Sequence, residues 1–71
     1  MKRFLEYSLY HQRMVRAVFM QGGVITERNI RVTALEENRV VFTVSGKKTP
    51  IELPVDDILS VSYARGDSGE G

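Results

Sequence analysis

The chain has 71 residues, ten Lys and Arg against nine Asp and Glu, and no cysteine. That length sets one domain with a small core, because a chain this short buries only about 60% of the surface its unfolded form exposes. Lack of cysteine excludes a disulfide framework and a thiolate metal site, and no stretch is apolar for long enough to cross a bilayer.

The opening MKRFLEYSLY carries Glu6 where a signal peptide needs an unbroken apolar run, so a cytoplasmic protein is expected. The near-neutral total hides an asymmetry. Residues 1–34 hold six Lys or Arg against two Glu, whereas residues 35–71 hold four against seven acids. Such a split suits a basic face that meets phosphate or a dipolar surface for head-to-tail assembly, besides an ordinary solvated exterior.

In residues 2–12, Leu5 and Leu9 stand four apart while Phe4, Tyr7 and Tyr10 step by three, which predicts a short helix with a broad apolar face. The period then changes to two. Residues 13–20 read as a strand with Val15, Ala17 and Phe19 on one face and Arg16, Val18 and Met20 on the other, ended by a turn at Gln21-Gly22-Gly23. A long strand over 24–35 follows, with Ile30, Val32 and Ala34 on one face and Glu27, Asn29, Arg31 and Thr33 on the other. Glu36-Glu37-Asn38 is a tight turn in which Asn tolerates the left-handed conformation, and residues 39–44 point Val40, Phe42 and Val44 inward.

Ser45-Gly46-Lys47-Lys48 turns the chain into a strand over 49–53, short or at an edge because Pro50 cannot donate to a ladder. Between it and a last strand over 58–64, with Leu59, Val61 and Tyr63 in phase, lie only Pro54, Val55, Asp56 and Asp57. Adjacent carboxylates rarely converge on one reacting atom, so this segment reads as architecture. One turn of 3₁₀ helix fits it, with Asp side chains bonding nearby amides and Val55 plugging the core. Residues 65–71 offer nothing apolar to bury and are expected to be a disordered tail, which makes its Arg65-Gly66-Asp67 tripeptide a coincidence. Residues 1–64 then form a single domain without linker or repeat.

A helix followed by a five-stranded, strongly bent antiparallel sheet, with one helical turn before the last strand, is the element order of SH3-like and Sm-like barrels. The stretch from FLEYSLYHQRMVRAVFMQGGVITERNIRVTALEENRVVFTV to LPVDDILSVSYA resembles the Sm-like RNA chaperone family Hfq. Shared features are the N-terminal helix, a first strand ending at a Gly turn, an acidic turn before an apolar third strand, and the ILSV of the last strand. The pattern is also similar to WYL domains, a resemblance that places Arg28 at an arginine position of that family. Where Hfq carries a Tyr-Lys-His-like pore motif this chain has Leu53-Pro54-Val55, and the stretch nearest to Trp-Tyr-Leu is Val40-Val41-Phe42. The resemblance therefore implies the mainly β barrel and not either family's ligand residues.

Two functions fit this reading. A small barrel binds single-stranded RNA or DNA by pairing a cationic groove with flat side chains. Candidate donors are Arg13, Arg16, Arg28, Arg31, Lys47 and Lys48, with Tyr7, Tyr10 or His11 for stacking, although Arg13 and Arg16 fall on opposite faces of one strand. Alternatively, an exposed strand edge recruits another copy or a protein partner, and the charge split suits such contacts. An enzyme is not expected, because there is one histidine, no Gly-rich phosphate loop and no metal-ligand spacing, so neither cofactor nor metal is assigned.

Overall fold

The computed structural model of the protein describes residues 2–64, and the expected tail lies outside them. Its elements are helix α1 (Lys2–His11), strands β1 (Val15–Gln21), β2 (Val24–Leu35), β3 (Arg39–Val44) and β4 (Ile51–Pro54), a 3₁₀ turn (Val55–Asp57), and β5 (Ile58–Tyr63). The strands form one antiparallel sheet in the order β4-β3-β2-β1-β5.

Strands β4 and β5 lie at opposite edges of that order and yet only three residues separate them. Four interstrand spacings of a flat sheet amount to about 19 Å. Four residue steps reach about 14 Å at most, and less in a 3₁₀ turn. The sheet must therefore curl, which agrees with the expected strong bend. Among the described residues it is not closed, however, because β4 and β5 do not pair with each other and lie at its two edges.

Curling buries the inward faces of alternating strands. Val15, Ala17 and Phe19 of β1, Ile30 and Val32 of β2, and Val40, Phe42 and Val44 of β3 form the core, joined by Leu5 of α1 and Ile58 of β5. The rings of Phe19 and Phe42 meet edge to face at 5.1 Å. Phases of β1 and β3 are as the period-2 reading gives them. In β2 and β5 the phase slips because each strand carries a bulge, an extra residue facing one on its neighbour. Val32 pairs with Phe42 but Ala34 with Val41, so Thr33 is extra and bonds its hydroxyl to the Val41 carbonyl (3.3 Å). The slip leaves Ala34, expected inside, exposed and turns Leu35 toward the core. Likewise Val18 pairs with Ser60 but Phe19 with Ile58, which makes Leu59 extra. Ile58 takes the interior and Leu59 is 48% exposed.

The turn between β4 and β5 also departs from expectation. Its geometry is the anticipated 3₁₀ turn, held by two backbone bonds, Ile58 N–H to the Val55 carbonyl and Val55 N–H to the Asn38 carbonyl (2.9 Å). Neither Asp56 nor Asp57 bonds its side chain to an amide, and Val55 is not the plug. Tying its N–H to Asn38 holds Val55 at the margin of the core, while Ile58, 2% exposed and opposite Phe19, fills the interior. Asn38 itself has no positive φ; among the non-glycine residues described, Gln12 alone does.

Helix α1 ends one residue earlier than expected because Gln12 enters the left-handed region (φ 55°). Arg13 N–H then reaches back to the Ser8 carbonyl (3.2 Å), a Schellman closure, and Gln12 Nε2 caps the Leu9 carbonyl (2.9 Å). This closure removes Arg13 and Met14 from β1. At Gly22 and Gly23, φ is 59° and 78°, the two-residue hairpin geometry in which consecutive positive φ values favour glycine.

Ser8 ties the helix to the sheet. Register running from Val15 opposite Ile30 places Arg13 opposite Val32. Ser8 Oγ occupies that gap, donating to the Arg13 carbonyl (2.6 Å) and accepting from Val32 N–H (2.9 Å). The hydroxyl thus bridges the two strand backbones where β1 has left the ladder. Ser8 is fully buried, and its hydrogen-bonding capacity is used inside the protein.

Candidate functional site

Which residues can meet a ligand follows from which end of the curled sheet is covered. Helix α1 closes the end formed by the start of β1, the middle of β2 and the end of β5. Ser8 bonds Val32 there, and Phe4 and Tyr7 stack edge to face on Tyr63 at 4.8 and 5.2 Å. The opposite end stays open and holds a cleft of about 340 Å³.

Its lining follows from the Gly-Gly hairpin. Gln21 pairs with Val24, so counting back sets Phe19 opposite Thr26 and Ala17 opposite Arg28. Residues paired across strands share a face. Arg28 therefore stands on the inner face with Ala17, and it lines the cleft beside Phe19, Gln21 and Thr26. Val44 and Ile51 supply the other wall. Gly46, at φ 83°, closes a turn in which Lys47 N–H bonds the Val44 carbonyl (2.9 Å), and this brings Lys47 to the cleft rim. The lining holds two cations and no carboxylate. Arg28 bonds the Glu27 carbonyl through NH1 (2.8 Å) and has no acidic partner among the described residues.

The structure distributes the other candidates. Lys48 follows Lys47 and is exposed. Arg16 lies on the outer face, where Nε meets Glu27 Oε2 (3.0 Å) and NH1 meets Asn29 Oδ1 (3.2 Å). Its charge is already matched. Arg31 is on the same outer face, opposite Thr43, and Arg13 sits at the helix–strand junction. Tyr10 is 74% exposed on α1, and His11 packs against Tyr7 with ring centroids 5.1 Å apart. The proposed stacking side chains are thus on the helix, which covers the end away from the cleft. Phe19 is the aromatic in the cleft lining, and its ring is part of the core.

Among the described residues, strand pairing matches part of the charge asymmetry along the chain locally. Antiparallel pairing interleaves Glu27 with Arg16, and Arg39 Nε of β3 with Glu52 Oε2 of β4 (2.7 Å). Strand alternation sends Arg28 inward and Arg31 outward. The cleft combines Arg28 from the basic half with Lys47 from the acidic half. Gln21, Thr26, Val44 and Ile51 were not recognisable as site residues, although the hairpin register and the two-residue period of β2 already place Thr26 and Arg28 on one face.

Among the described residues no group of three His, Asp or Glu is placed to hold a metal ion, and no helix is long and apolar enough to cross a membrane. No protein family, curated protein or solved structure matches the chain.

Proposed function

We propose that this chain is a small binding domain of SH3-like or Sm-like barrel type that holds the phosphates of single-stranded nucleic acid at the open end of its sheet. The observation that carries this reading is the convergence of Arg28 and Lys47 on one cleft whose lining has no carboxylate. Its volume is near the lower limit for ligand pockets, which suits one nucleotide unit better than a long buried strand. Arg28 offers a planar fork for phosphate oxygens and Lys47 a mobile point charge at the rim. Thr26 and Gln21 add polar groups, and exposed Lys48 extends the positive surface along which a strand continues. The strand order, the short link across the sheet edges and the sequence pattern shared with the Sm-like RNA chaperones support the barrel assignment.

Fluorescence anisotropy with a labelled mixed-sequence single strand, titrated over a range of salt, tests this reading. Two phosphate contacts give a slope of log affinity against log salt of about −1.4, and each contact removed takes away about 0.7. Arg28→Ala and Lys47→Ala should each weaken binding and flatten that slope, whereas Arg16→Ala should change neither. Binding unaffected by the first two substitutions would refute the assignment.

A further inference from the structure

The shape of the cleft limits how a strand can use it. Its lining includes Phe19 and Val44, 1% and 7% exposed, which belong to the core and seal the inner side. A chain that enters must therefore leave by the same mouth. An internal phosphodiester carries a nucleoside on both sides, whereas a cleft of about 340 Å³, near the lower limit for ligand pockets, has room for one. The end of a strand brings one nucleoside with its phosphate.

Charge selects the same group. Arg28 and Lys47 supply two positive charges, and no carboxylate of the described residues lines the cleft. Glu27 and Glu52, the acids beside its lining in sequence, stand on the outer face opposite Val18 and Val41, held by Arg16 (3.0 Å) and Arg39 (2.7 Å). A phosphodiester has one negative charge and two free oxygens, whereas a phosphomonoester at neutral pH carries about 1.5–2 negative charges and has three. The bond of Arg28 to the Glu27 carbonyl (2.8 Å) uses one of the guanidinium N–H groups, and the others remain for a ligand. That fork engages two phosphate oxygens, which leaves the third for Lys47. Thr26 and Gln21 add neutral donors. We infer that the cleft takes the terminal phosphomonoester of a nucleic-acid strand, a 5′- or a 3′-phosphate, in preference to the phosphates within it. This rests on the phosphate-binding reading of the cleft and specifies which phosphate is bound.

Three single strands of one sequence, labelled on an internal base, test it when they differ only in their ends: hydroxyl at both, phosphate at the 5′ end, or phosphate at the 3′ end. In anisotropy titrations at constant salt, the extra negative charge beside two cations should tighten binding by about tenfold, and the end that carries it distinguishes a 5′ from a 3′ site. Unlabelled nucleoside monophosphate should compete with the phosphorylated strand, whereas the nucleoside should not. Lys47→Ala should reduce the preference to about threefold or less, because the third oxygen loses its partner, while Arg16→Ala retains it. Equal affinity for the three strands, weakened by Arg28→Ala, would overturn the inference and leave the phosphate-binding reading standing. Binding of none of them would overturn both. A preference unchanged in Lys47→Ala would also overturn the inference, since the selectivity would then arise outside the cleft.

Discussion

Replacing Ser8 with Ala removes one oxygen from a fully buried site and retains Cβ, so the change isolates the hydroxyl's two hydrogen bonds. Val32 N–H loses its acceptor in the interior, at a cost of about 1–3 kcal/mol for an unsatisfied buried donor. The part-buried Arg13 carbonyl loses a donor too, a smaller cost than an orphaned N–H because a carbonyl tolerates under-satisfaction better. Better helix propensity returns at most about 0.5 kcal/mol. The net expectation is a loss of about 2 kcal/mol, a substantial share of the roughly 4–10 kcal/mol of a domain this size. At about 4–8 °C per kcal/mol, Tm should fall by about 8–16 °C. Urea denaturation gives the free energy, and amide exchange shows whether Val32 N–H in particular loses protection. Ser45→Ala, at an exposed turn, is the control and should change stability by less than about 0.5 kcal/mol. A Ser8→Ala protein as stable as that control, or with undiminished Val32 protection, would refute the bridging role.

Three further outcomes follow from the packing. Ile58→Asp should unfold the domain by burying an unpaired carboxylate, whereas Val55→Asp, at the core margin, should leave a folded protein with reduced stability; circular dichroism distinguishes them, and the reverse result would restore Val55 as the plug. Gln12→Gly relieves about 1 kcal/mol of left-handed backbone strain and forfeits an exposed side-chain bond to Leu9, so stability should rise by less than about 1 kcal/mol; a clear fall in the urea midpoint would contradict this. Arg16→Ala breaks an exposed ion pair and should cost at most about 1 kcal/mol, measured by the same denaturation.

Much of the fold can be read from local chemistry. Period-2 runs, the Gly22-Gly23 pair and the proline-flanked β4 define the strands and turns because each depends on near neighbours alone. The hairpin even specifies that Arg28 shares a face with Ala17. Bulges at Thr33 and Leu59 escape such a reading, since an extra residue is defined only by the strand opposite. Ser8 escapes it as well: a serine amid apolar helix residues looks neutral until β1 and β2 are seen to part beside it.

The site follows the same division. Its cations are visible in the chain as residue types, but their grouping depends on distances that span the fold. Arg28 and Lys47 are nineteen positions apart in sequence and are drawn to one cleft by the pairing of β2 with β3. Arg16, equally basic, is matched by Glu27 eleven residues away. The sequence alone determined a helix followed by five strands, because propensity, turn chemistry and alternation act over a few residues. Only the tertiary structure decided which end is open and which charges are already matched, because those depend on register and curl between strands distant in the chain.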